Sequence, residues 1–147
     1  MAVTPKDIEE QIETRLIALL NAEAFISTDS IPVRAWQDLD TEIGKQQVIV
    51  HANKVLPTIL DENGETGEWS VRVDLLSYVH NAESEIPESQ TDSLYQFLLG
   101  FAGEVTKAQI QSGLSGLTIN GKNTLESGED LDERFFQKMA SIQLFVQ

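Results

Sequence analysis

The chain contains no cysteine. That removes disulfides, thiolate nucleophiles, cysteine-ligated zinc and iron–sulfur clusters. Long apolar runs are also missing: the longest aliphatic stretches, such as Leu16 to Leu20, fall far short of the roughly 20 residues a membrane helix needs. Basic residues are scarce, with 10 Lys and Arg against 24 Asp and Glu, a net charge of −14. A surface of that sign repels phosphate backbones and anionic lipids, which argues against a groove that grips nucleic acid and against a membrane partner. Only two histidines are present, His51 and His80, and both fall in or beside strand-patterned segments. A lone imidazole there is more often exposed or hydrogen-bonded than a general base.

Catalytic and ligand-binding spacings are missing as well. "GLSG" at 113–116 is not the Gly-x-Ser-x-Gly nucleophile elbow, because the second glycine arrives one position early and no strand–turn–helix surrounds it. "DENGE" at 61–65 starts like a calcium loop, but its glycine is at the fourth position rather than the sixth, and Arg72 stands where the bidentate Glu belongs. "GLTINGKNT" lacks the glycine spacing of a phosphate loop. The expectation is a protein with no catalytic residues, no metal and no cofactor. The first residues, "MAVTPKDIEEQIETRL", lack a basic region followed by an apolar one, so no secretory signal is expected. Residence in a cytosol follows, unless the protein leaves inside a larger particle.

What is present is a chain of 147 residues, suited to a single domain over 1–147 with a core of its own. Thr4, Pro5 and Asp7 make a helix start. Ile8, Ile12, Leu16, Leu19 and Leu20 then form one apolar stripe, which predicts a helix over 5–22. "IPVRAW" at 31–36 reads as a short strand, and "QVIVHAN" at 47–53 as a stronger one because β-branched residues dominate it. The second continues towards Pro57, which cannot donate to a ladder, so the strand should end, bulge or lie at an edge there. A second helix is expected over 91–105, capped by Ser89 or Thr91, with Leu94, Phe97, Leu98, Phe101 and Val105 as its buried stripe. Gly100 and Gly103 either weaken it or let it pack closely on a sheet. The stretch 112–121 reads as turn-rich, with a short strand at 117–119. In the closing "MASIQLFVQ", Ala140, Ile142, Leu144 and Val146 alternate with Ser141, Gln143 and Phe145, a last strand that runs to the terminus. Hairpins with separate helices predict an α+β fold: an antiparallel sheet with a long central hairpin and two main helices on one face.

The unusual segment is "EWSVRVDLLSYVHN" at 68–81. Strand geometry gives residues 69–81 a length of about 43 Å, whereas a compact domain of this size is about 38 Å across. Trp69, Val71, Val73, Leu75 and Val79 share one side, with Ser77 among them. Ser70, Arg72, Asp74, Leu76, Tyr78 and His80 share the other. Either a bulge breaks the run into two ordinary strands, or the second side packs on a neighbouring copy of the chain. On the latter reading the interface draws on Trp69, Arg72, Asp74, Leu76, Tyr78, Ile142 and Phe145, and "IQLFVQ" offers an edge for strand addition. The acids are clustered too: "DENGETGE" at 61–68, "ESEIPESQTD" at 83–92 and "ESGEDLDE" at 126–133 hold 13 of the 24. Solvated loops are the plain reading of these clusters.

Four stretches, "IEEQIETRLIALLNA", "WSVRVDLLSYVHN", "TDSLYQFLLGFAGEV" and "MASIQLFVQ", follow one another in an order that resembles the tail-terminator, or tail-completion, proteins of long-tailed bacteriophages. The likeness is one of order and pattern over nearly the whole chain; the acidic insert at 126–133 has no counterpart in it. The resemblance implies a structural virion protein at the head-proximal end of the tail, assembled in the host cytoplasm as a ring of generally six copies. Its partners would be other copies of itself, the tail-tube protein and a head-completion or connector protein. DNA would pass through the ring without being specifically bound. A lumen lined by some of Asp61, Glu62, Glu65, Glu68, Glu129 and Asp130 would keep the duplex from adhering. Two alternatives stand beside this one. The first is a head–tail connector or tail-tube protein of the same fold lineage. The second is a small acidic adaptor outside virions that binds a basic partner.

Overall fold

A computed structural model describes residues 5–28, 30–36, 46–60, 66–80, 88–131 and 135–147. In chain order the elements are α1 (Pro5–Asn21), α2 (Ala24–Thr28), β1 (Val33–Ala35), β2 (Gln46–Leu60), β3 (Thr66–His80), α3 (Glu88–Glu104), α4 (Lys107–Gln111), β4 (Ile119–Leu131) and β5 (Phe135–Val146). The strands form one sheet in the order β1-β2-β3-β5-β4. The fold is α+β, and every strand pair is antiparallel except β1 with β2, which run parallel.

The sheet is built around β3, paired to β2 on one side and to β5 on the other along nearly its whole length. Alternation then sorts its side chains. Val71, Val73 and Leu75 point to one face, where they join Val48 and Val50 of β2 and Ala140, Ile142, Leu144 and Val146 of β5. Both main helices bury their stripes on that face. Ile8, Ile12, Leu16 and Leu20 of α1 are fully buried, as are Leu94 and Leu98 of α3. The helix over 5–22 and the closing strand are therefore found as expected, and the long hairpin is real: β2 and β3 are 15 residues each. Pro57 is accommodated as its chemistry requires. It sits within β2 between register shifts at Asn53/Leu56 and Pro57/Ile59, on a part of the strand that β1 does not reach.

Several expectations need correction. The terminal strand has no free edge, because β5 lies between β3 and β4. The stretch 112–118 is turn and loop as expected, but β4 starts at Ile119 and continues to Leu131, through the acidic stretch read as a solvated loop, with Glu129 and Asp130 in its backbone ladder with β5. A register shift between Leu125 and Gly128 absorbs the mismatch. Helix α3 begins at Glu88, so Ser89 and Thr91 lie within it rather than capping it. Gly100 and Gly103 do not bring α3 onto the sheet: both are exposed, and a Cβ at either would meet nothing within 4 Å. The cap expected at Thr4 and the cluster at 61–65 lie outside the described residues.

The loop between α4 and β4 is held by side chains that imitate a backbone. Gln111 donates from Nε2 to the Leu117 carbonyl (2.5 Å) and accepts the Ile119 N–H at Oε1 (2.6 Å). Gln11 on α1 does the same for Ser115, at 3.0 and 2.8 Å. Arg15 donates to the Gln109 carbonyl (2.9 Å) and to Ser112 Oγ (2.7 Å), and a Cβ at Gly113 would collide with its side chain. Helix α4 itself is set by a capping box between Thr106 and Gln109. At the end of α3, Lys122 Nζ donates to the Ala102 carbonyl at 2.6 Å. A cation there is favoured by the helix dipole, while partial burial lowers its pKa. Gln111→Ala removes its two hydrogen bonds to the loop and leaves those of Gln11 and Arg15 in place. It should cost about 1–3 kcal/mol in a urea titration and speed hydrogen exchange at the Ile119 amide. An unchanged midpoint would show that the backbone pairs between Thr118 and Gln147 together with the Gln11 and Arg15 bonds suffice to hold the loop.

Candidate functional site

The face of the sheet opposite the helices holds Arg72, Asp74, Leu76, Tyr78 and Phe145 of the predicted interface, whereas Trp69 packs against the main core and Ile142 lies within it. The register lays that face out in rows. Gln47 sits opposite Tyr78, and Ile49 opposite Leu76, which in turn faces Met139. The next row runs His51, Asp74, Ser141, and the one after it runs Asn53, Arg72, Gln143. The central rows are tied together by hydrogen bonds. Arg72 Nε donates to Asp74 Oδ1 at 3.0 Å, and Ser141 Oγ donates to the same oxygen at 2.6 Å. Gln143 Nε2 donates to Ser70 Oγ at 3.0 Å. Asp74 is buried, so its charge is supported by an adjacent guanidinium and a hydroxyl, as a buried carboxylate requires.

This geometry changes the status of the predicted residues. Leu76 and Tyr78 were expected to lie open for a neighbour. Their relative exposures are 3% and 5%, and they form a small second core with Ile49 and Met139. Alternation placed them on the right face, but that face is covered within the subunit. Ile142 is fully buried in the main core, because it shares its side of the sheet with Val73. Trp69, Arg72 and Phe145 are half-buried. Of the acidic residues, Asp61, Glu62 and Glu65 lie outside the described residues. Glu68 accepts from Asn120 Nδ2 at 3.3 Å, tying β3 to the start of β4. Glu129 and Asp130 sit on β4 in register with Lys138 and Gln137, their side chains outside the described set.

Surfaces that the sequence did not single out are the open ones. Trp36, directly after β1, is 42% exposed and stacks on His51 with ring centroids 5.2 Å apart. Leu56, beside the bulge in β2, is 57% exposed. Beyond Val50 no described strand pairs with the outer side of β2, and none pairs with the outer side of β4. The Ala52 N–H on that side of the molecule is accepted by the buried Glu13 of α1 at 3.3 Å. The signals for these surfaces are weak in sequence: one aromatic beside a short strand, and a proline-marked edge. Among the described residues no group of three or more His, Asp or Glu is placed to hold a metal ion, and no described helix is long and apolar enough to cross a membrane. Comparison with known protein families finds no match, and comparison with curated proteins finds none either.

Two outcomes follow from the covered face. Asp74→Ala leaves Ser141 and Arg72 without their shared acceptor, and should destabilise the isolated chain by about 1–3 kcal/mol in denaturant titration. Burial raises the pKa of Tyr78 above the ordinary phenol value. The unfolded chain then loses this proton first. The stability Tyr78 contributes is complete below pH 10.0, the unperturbed value, and is lost as pH rises through the folded pKa. In an alkaline absorbance titration a late phenolate component should be present, and Tyr78→Phe should abolish it.

Proposed function

We propose that the chain is a structural assembly subunit of a long-tailed phage: a tail terminator that closes into a ring on the end of the tail tube and presents a surface to the head. The observation that carries the reading is a pair of strand edges on opposite sides of one sheet that no described strand partners, the outer side of β4 and the outer side of β2 beyond Val50. An edge strand exposes a row of N–H and C=O groups that another chain can pair with. When one edge meets the different edge of the next copy, the contact is heterologous, and such contacts close into rings when the rotation per copy divides a full turn. The 15-residue β2 adds to this: beyond the stretch paired to β1 and the Ala52 N–H taken by Glu13, its outer side continues to Leu60 with no described strand beside it. The order of helix, long hairpin, helix and closing strands matches the terminator pattern, and a net charge of −14 suits a ring through which DNA slides without adhering. The covered Leu76 and Tyr78 take no part in the proposed contact; the edges replace them.

Sedimentation velocity over a concentration series, with negative-stain microscopy, tests this. The expected species has about six times the 16.3 kDa of the chain and a ring outline. Proline at Asn123 and at Thr124 then probes the β4 edge. Neighbouring residues of an antiparallel pair direct their N–H groups to opposite sides. One of the two variants should therefore keep the fold but lose the ring, while the other breaks the ladder with β5. A strict monomer at every concentration, or rings that survive both substitutions, would sink the reading.

A further inference from the structure

Helix α1 packs on β1 and β2, and α3 packs on β3 and β5. Between them lies a groove of about 410 Å³, bordered by the end of α1, the face of α3 and the start of α4. Leu19, Phe97 and Phe101 give it an apolar strip, and Gln96 and Gln109 make much of the remaining lining polar. Phe25 of α2 stacks on Phe97 at 4.7 Å with the rings nearly parallel, and remains 37% exposed. Two carboxylates, Glu23 and Glu104, stand on its rim. Both are exposed, and neither makes a side-chain hydrogen bond or ion pair among the described residues.

Gly100, also in the lining, has open space where a Cβ would be. A glycine on the exposed side of a helix costs roughly 1 kcal/mol against alanine, and no described residue fills the room it leaves. What such a glycine permits is close approach of another backbone.

We propose that this groove docks an α-helix of a cationic partner protein, with apolar side chains on the Phe97–Phe101 floor and Lys or Arg side chains against Glu23 and Glu104. The shape argues for a helix, since a trough between two helices accepts a third by ridges-into-grooves packing, with the close approach at Gly100. The charge argues against a second copy of this chain, which would bring 24 acids and 10 bases to an already acidic rim. The inference does not depend on ring formation, because the groove lies on the helical layer and the free strand edges lie at the sides of the sheet.

Fluorescence anisotropy with a labelled 18-residue amphipathic peptide of Leu and Lys at helical spacing tests it, with the Leu/Glu counterpart as comparison. The Leu/Lys peptide should bind and the Leu/Glu peptide should not. Gly100→Trp, which fills the groove, should weaken binding at least tenfold while circular dichroism confirms the fold. Gly100→Ala should raise the melting temperature and weaken binding, though less than Gly100→Trp does. The pair Glu23→Gln/Glu104→Gln should weaken binding several-fold more than Glu10→Gln/Glu14→Gln, which removes the same charge from the exposed side of α1. Equal losses in the two double variants would mean that the peptide responds to net charge alone. Undiminished binding to folded Gly100→Trp would place the contact elsewhere. Either result, or no binding of the Leu/Lys peptide, overturns the proposal.

Discussion

The structure depends on β3 being hydrogen-bonded on both sides over nearly all of its length. A central strand of 15 residues cannot leave its backbone groups unpaired in an interior, so β2 and β5 must run beside it for the same distance, and their lengths follow. Once three strands are in register, alternation assembles Val48, Val50, Val71, Val73, Leu75, Ile142 and Leu144 into one continuous apolar surface. The helical stripes of α1 and α3 bury mainly against that surface. The helices therefore share a face because the ribbon has one face suited to them.

The other face follows from the same constraint. Arg72, Asp74, Ser141, Gln143 and Ser70 stand in adjacent rows because the pairing of β3 with β5 puts them there. They satisfy one another across the strands rather than waiting for a partner. This cross-strand network locks register: a slip of one residue would carry Asp74 into the apolar core.

These relations explain what the sequence could and could not disclose. Helical periodicity in Ile8, Ile12, Leu16 and Leu20 and two-residue alternation in the last strand are strong signals, because each records a face that must be buried. The same alternation assigned Leu76 and Tyr78 to the correct side of β3. It carries no information about what covers that side, and so it misjudged their exposure. Strand β4 was invisible because "ESGEDL" has almost no strand propensity; pairing with β5 imposes the conformation, and the shift at Leu125/Gly128 records the conflict. The parallel placement of β1 is equally non-local. The capping box Thr106–Gln109 was readable in "TKAQ", and it marks α4 at a point where no apolar stripe does. For the candidate site, proline at position 57 was the one local hint of a free edge.

The charge distribution bears on how such edges can be used at all. Unpaired strands invite indiscriminate pairing, and acidic side chains along an edge are a known way of discouraging it. β4 carries Glu126, Glu129 and Asp130. β2 is interrupted by Pro57 and its register shifts. Two β4 edges would bring like charges together, and two β2 edges would bring two irregular ladders together. A β4 edge against a β2 edge avoids the first conflict and halves the second. On the proposed reading, self-pairing would thereby be biased towards the head-to-tail arrangement, the one that propagates around a ring instead of stopping at a dimer. Repulsion between copies of charge −14 opposes that step at low ionic strength, and a cationic helix seated between Glu23 and Glu104 would offset part of it. If both proposals hold, acidity that opposes self-association would make ring closure responsive to the arrival of a cationic partner.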